Sequence, residues 1–153
     1  MAVVVSACLL GENCKYNGGN NYHADLQHLL AGKELILICP EVAGGLPVPR
    51  DPAEIVNGIV TNTRGICVDE AFREGTVKEM GRLEGKQIEF AVLQSRSPSC
   101  GCRQVYDGTF SKTLIPGQGI CARAMMESGY LVYDVEEFLQ EQTRIGPDGD
   151  EIV

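Results

Sequence analysis

The sequence predicts an α/β fold with a mostly parallel sheet, on three observations. Its apolar runs are short, continuous and rich in Val, Ile and Leu, as in strands covered on both faces. These runs alternate with stretches of helical character, the strand–helix–strand order that parallel sheets require. The chain has 153 residues, the length of one domain with a sizeable core. The expected architecture is a single three-layer Rossmann-like domain over residues 1–142, followed by a polar tail over 143–153.

Residues 2–7 (Ala2-Val3-Val4-Val5-Ser6-Ala7) read as the first buried strand. Gly11 to Tyr22 is a loop rich in Gly and Asn. His23 to Ala31 reads as a short helix with Leu26, Leu29 and Leu30 on one face and Gly32 as its stop. Residues 34–38 are the second strand. Between Pro40 and Pro52, two glycines and four prolines allow at most one helical turn. Glu54 to Thr63 fits a small hairpin turning at Asn57-Gly58. Asp69 to Glu84 is the longest helix, with Asp69 as its cap and Phe72, Val77, Met80 and Leu83 as its apolar stripe. Residues 88–94 make the third long strand. Gln104 to Phe110 forms a short extended piece ending at Asp107-Gly108. Gly119 to Ser128 is a helix with Gly129 as its C-cap, then come a strand over Tyr130–Tyr133 and a helix over Val135–Gln142. The order of the strands is not legible.

Composition narrows the function. The formal net charge of −8 argues against nucleic acid and anionic membranes, which need clustered Lys and Arg. No signal-peptide pattern opens the chain, and no apolar run approaches the roughly 20 residues of a membrane span. A cytoplasmic protein is expected. Seven cysteines, an odd number, in a reducing compartment argue for metal or catalytic use of some of them.

Three cysteines follow three strands: Cys8 after 2–7, Cys39 after 34–38, and Cys100 after 88–94 and a short bend. Parallel strands would bring all three thiols to the carboxyl edge of one sheet, where open α/β sheets bind ligands. Soft thiolates select soft metals, and only His23 and His28 could add imidazole. An iron–sulfur site with three thiolates fits this inventory better than zinc, and it leaves one metal position open. Cys14, Cys67 and Cys121 read as small buried hydrophobes. Cys100-Gly101-Cys102 is not a CxxC redox motif.

Glu41 has two readings. It is a first-turn glutamate after Pro40, favoured by the helix dipole, or a general acid–base group beside the metal. Ser97 and Ser99 flank Pro98 and read either as turn residues or as hydrogen-bonding groups of the site. Asp107-Gly108-Thr109 reads as a simple turn. Gly117-Gln118-Gly119 opens a helix and could cradle an anion, although no full phosphate-loop fingerprint is present.

Five stretches resemble the family of bacterial proteins, long a domain of unknown function, that includes the thiouracil desulfidases. They are Ser6 to Gly11, Lys15 to Gly19, Cys39 to Arg50, Ser97 to Gly101 and Tyr106 to Phe110. The resemblance implies a [4Fe–4S] cluster held by Cys8, Cys39 and Cys100, with one iron that no protein side chain ligates. It implies a thiolated nucleobase or similar thiocarbonyl compound as substrate, with its sulfur taken at that iron. It also implies a catalytic Glu and Ser, carried here onto Glu41 and Ser97. Two further readings belong to other classes: an iron–sulfur or metal-binding protein that stores, senses or delivers sulfur, and a zinc-binding structural module.

Overall fold

The structure is a computed structural model, and it describes residues 1–144. Its centre is a four-stranded parallel sheet of β1 (Ala2–Ser6), β2 (Glu34–Ile38), β5 (Ile88–Leu93) and β8 (Val132–Asp134), in the order β2-β1-β5-β8. Two antiparallel hairpins stand apart from it: β3 (Ala53–Val56) with β4 (Ile59–Asn62), and β6 (Gln104–Tyr106) with β7 (Leu114–Pro116). Among the described residues there are five α-helices: α1 (Ala24–Leu29), α2 (Pro40–Ala43), α3 (Asp69–Leu83), α4 (Ile120–Glu127) and α5 (Val135–Arg144).

Strand alternation divides the core in two. Val3, Val5 and Val92 pack with Leu26 of α1 and Phe138 of α5 on one face. Ala2, Val4, Ala91 and Leu93 pack with Leu83 of α3 and Met125 of α4 on the other. The result is three layers, as the sequence predicts. β2 lies on one side of β1 and β5 on the other, so the connections diverge at β1. Ser6 pairs with Ile38, and Val5 with Val92, so the three strands end nearly level. The Ser6 hydroxyl also accepts the Gln94 amide at 2.9 Å and ties two of those ends together.

Several local expectations are corrected. Leu29 is 39% exposed, and the buried residues of its segment are Leu26 and Leu30, because the helix stops at Leu29. Val77 is 72% exposed. The buried face of α3 is instead Phe72, Gly75, Thr76, Glu79 and Leu83, a stripe hidden from hydropathy by its small and charged members. Asp69 does not cap α3. It is the first helical residue, and its carboxylate takes the Val60 amide at 3.0 Å and pairs with Arg73 at 2.6 Å. The last strand begins at Val132, not Tyr130. The extended piece after Gln104 ends at Tyr106 and pairs with β7, an element the sequence reading lacked. Gly129, at φ +89°, follows the cap residue Ser128 rather than serving as cap itself. The last helix continues to Arg144, and the expected tail from residue 145 on lies outside the described residues. Among the described residues, no helix is long and apolar enough to cross a membrane.

Two glycines decide where α2 sits. A Cβ on Gly75 would lie 1.7 Å from the Pro40 carbonyl oxygen, and one on Gly44 would lie 1.9 Å from that of Ala71. Backbone therefore meets backbone where α2 crosses α3. Gly75→Ala is expected to cost about 1–3 kcal/mol through overpacking, read as a lower urea midpoint. Gly81→Ala, in the same helix with nothing within 4 Å of its added Cβ, should be neutral or stabilising by up to about 1 kcal/mol.

Candidate functional site

The carboxyl ends of β1, β2 and β5 open into a cleft of about 520 Å³. Its lining includes Cys8, Cys14, Cys39, Cys100, Glu41 and Ser97. The three cysteines that follow strands thus share one cleft. Cys8 arrives on a 3₁₀ turn over Ala7–Leu10 directly after β1. Cys39 is the residue before α2, with Pro40 at the first helical position. The Cys39 amide donates to the buried Glu79 carboxylate of α3 at 2.9 Å, and Arg82 neutralises that carboxylate at 3.1 Å. Burying Glu79 is tolerable only because both partners are in place.

Cys100 is held by α4. The amides of Gly119, Ile120, Cys121 and Ala122 donate to the carbonyls of Gly101, Pro98 and Ser99 at 2.7–3.0 Å. These donors are the orphans of a helix start. The Gly117-Gln118-Gly119 segment therefore grips the cysteine loop and is not an anion cradle. A Cβ on Gly119 would lie 2.5 Å from the Ser99 carbonyl carbon, so the grip requires glycine.

The other cysteines divide. Cys121 is buried, as expected, and burial raises its thiol to about 12. Cys102 is buried too, and burial beside Asp134 likewise raises it to about 12. Cys67 is exposed, contrary to expectation, on the segment between β4 and α3. Cys14 is half-buried inside the cleft rather than packed away as a small hydrophobe. Its nearness to Cys39 and Cys8 raises its thiol far above the ordinary range, and the Cys39 thiol lies 3.9 Å from the Cys14 carbonyl oxygen. The same nearness lowers its neighbours. Cys8 falls to about 7, first through Cys14, with Asn21 and Lys15 helping against burial and Glu41. Cys39 falls for the same leading reason, with the Val42 amide and Arg50 helping. Cys100 is pushed well above its ordinary value by burial, then by Cys121 and Cys8.

A pH experiment follows. Thiolate, not thiol, reacts with alkylating agents. In the metal-free protein, Cys8 should begin to react with iodoacetamide as pH rises through about 7, whereas Cys102 and Cys121 stay inert up to about 12. Cys14→Ala removes the strongest donor and should move the Cys8 onset upward. Site-resolved mass spectrometry reads both, and an unmoved onset would mean that Cys14 does not supply the donor.

Glu41 is held at both oxygens. Arg50 Nε donates to Oε1 at 3.1 Å, and the Ser99 hydroxyl donates to Oε2 at 2.8 Å. Arg50 is mostly buried, and its other nitrogens reach the carbonyls of Cys14 at 2.8 Å and Pro47 at 3.2 Å. One guanidinium thus joins Glu41 to the Cys14 loop. Ser97 turns the other way: its oxygen accepts the amides of Ser99 at 3.1 Å and Cys100 at 3.0 Å, and it lies 3.0 Å from the Ser99 hydroxyl. The direct partner of Glu41 is therefore Ser99, with Ser97 one hydroxyl further on.

A family model for 2-thiouracil desulfurase matches residues 3–137, nearly the whole described chain. The chain belongs to the 2-thiouracil desulfurase family. It is accordingly a desulfidase-type enzyme. The chain is also similar to two named proteins. The solved structure of a [4Fe-4S]-dependent thiouracil desulfidase, TudS, superposes with a TM-score of 0.82 at 34% identity, covering 93% of this chain and 98% of its own. The protein YbbK of Bacillus subtilis (strain 168), itself uncharacterized, is 33% identical over 145 residues, covering 88% of this chain and 96% of its own. Within the 2-thiouracil desulfurase family frame, sequence reasoning missed Arg50, Asn21 and the role of Cys14 in the cleft. Arg50 stood inside a matching stretch, but its return onto Glu41 depends on the path of Pro47 to Pro49, which no spacing rule gives.

Proposed function

We propose that this protein is an iron–sulfur-dependent desulfidase that removes sulfur from a thiolated nucleobase or a similar thiocarbonyl compound, in the cytoplasm. The observation that carries the proposal is one cleft holding Cys8, Cys39 and Cys100 together with Glu41 and Ser97. The relative TudS, named as [4Fe-4S]-dependent and acting on thiouracil, supports both cofactor and substrate class. The donor set fits the cofactor: soft thiols are the usual ligands of such clusters. Among the described residues, no three His, Cys, Asp or Glu side chains converge enough to hold a single metal ion, and Cys8, Cys14, Cys39 and Cys100 line a cleft of about 520 Å³.

Cys8, Cys39 and Cys100 would hold the cluster, and Cys14, whose nearness lowers Cys8 and Cys39, would favour their thiolate forms. Bound there, a [4Fe–4S] cluster with one iron free of protein ligands supplies a Lewis acid with affinity for the substrate's sulfur. Glu41 takes the proton of the water that attacks the thiocarbonyl carbon. Arg50 fixes which oxygen of Glu41 is engaged and which faces Ser99. Ser97 and Ser99 form a short hydroxyl chain that can hold the proton or donate to developing charge. The balance is C=S plus water giving C=O plus hydrogen sulfide, with no electron gained or lost.

The direct test is sulfide release from a panel of thiolated bases by anaerobically reconstituted protein. Release from 2-thiouracil or a close relative is the expected result. A fully loaded protein that releases sulfide from none of them would favour sulfur storage or delivery instead.

A further inference from the structure

We infer that the tip of the β6–β7 hairpin is a preformed wall that takes the substrate's planar ring, with Phe110 as the stacking surface. The inference rests on the desulfidase reading and adds a determinant of substrate shape. Phe110 lines the cleft with Tyr106 and Lys112, and it remains 39% exposed. Its φ is +58°, and that of Lys112 is +61°. Both are side chains in a region that bulky residues rarely occupy. Such strain persists only where the surroundings over-determine it, and it clusters at ligand sites.

Here the surroundings do so. One oxygen of Glu54, on β3, accepts the amides of Gly108 at 3.0 Å and Phe110 at 3.2 Å. The Asp107 carboxylate takes both the amide and the hydroxyl of Thr109, at 2.9 and 2.6 Å. The Ser111 and Thr113 hydroxyls lie 2.8 Å apart across the tip, and the Asp107 amide reaches the Thr113 carbonyl at 2.9 Å. Gly108, at φ +90°, lies so close to β3 that a Cβ would stand 2.6 Å from the Ile55 carbonyl oxygen. A turn that needed only to reverse the chain would require none of this. The strapping fixes the backbone of Phe110 at the cleft, and its side chain, 39% exposed, is open to cover by a flat heterocycle.

Stacking is tolerant of ring substituents but requires a ring. The test therefore compares two probes by calorimetry on the anaerobic, cluster-loaded protein, in a Glu41→Gln background so that the probe is bound and not consumed: 2-thiouracil and thiourea, which has the thiocarbonyl and no ring. Phe110→Ala should weaken 2-thiouracil about tenfold or more and leave thiourea unchanged. Phe110→Tyr keeps the ring and should restore the wild-type value. Glu54 is a positioning residue: Glu54→Ala should give the same selective loss, and Glu54→Gln, which keeps an acceptor oxygen, should not. Equal affinity of Phe110→Ala and wild type for 2-thiouracil, or equal loss for both probes, would overturn the inference. Should Phe110→Ala fail to fold, Phe110→Leu against Phe110→Tyr reads the same contrast. Failure of the wild type to bind 2-thiouracil or release sulfide from any thiolated base would instead strike the desulfidase reading.

Discussion

Glu41→Gln should cut sulfide release about a hundredfold to ten-thousandfold while the iron content stays at the wild-type level. Gln keeps the shape of Glu and removes the basic oxygen. The alternative role of Glu41, a first-turn acid at the start of α2, is worth only about 0.3–1 kcal/mol. The change also removes the negative partner of Arg50, which is mostly buried. That loss is softened because the guanidinium keeps the Cys14 and Pro47 carbonyls, and the Gln oxygen can still accept from Nε. The fold and the thiols should therefore survive the substitution that stops the chemistry. Iron per chain and initial rates, measured on one preparation, separate the two roles. Turnover at the wild-type rate with full iron would reduce Glu41 to a helix-start residue.

Cys39→Ala should lose most of its iron and acid-labile sulfide after anaerobic reconstitution, and Cys8→Ala and Cys100→Ala should match it. Two thiolates cannot readily retain a cluster whose usual ligation is cysteinyl. Cys67→Ala and Cys121→Ala should load normally, one thiol being exposed and the other sealed in the core. Cys14→Ala is the decisive control, because Cys14 shares the cleft with Cys8 and Cys39. It should retain iron. Loss of iron in Cys14→Ala, with retention in Cys100→Ala, would move the third ligand from Cys100 to Cys14.

What the sequence made legible was the work of strands. Continuous apolar runs favour burial, fully so in β1 and in part in β2 and β5, so these strands and the cysteines that follow them were readable together. What stayed illegible was set by contacts distant in the chain. The buried face of α3 contains Gly75, Thr76 and Glu79, which no hydropathy pattern selects, because Gly75 meets α2, Glu79 takes the Cys39 amide and the Thr76 hydroxyl turns back onto the Phe72 carbonyl. Asp69 looked like a cap, yet its carboxylate serves β4. Cys14 looked inert because a loop residue carries no strand-end signal, and the glycine-rich loop folds it back into the cleft that Cys8 and Cys39 line. Ser97 and Ser99 could not be ranked by spacing, since only the position of Glu41 distinguishes them.

The two half-cores have a mechanical consequence. Cys8 packs with the α1 and α5 layer, and Cys100 with the α3 and α4 layer, on opposite faces of the sheet. A group that bound both thiols would act as a rivet through the edge of the sheet, so that neither layer could peel away without releasing it. Amide hydrogen exchange should then slow in α1 and α4 by a common factor on loading, although neither helix supplies a ligand, since any species that binds only the folded chain raises the cost of opening it.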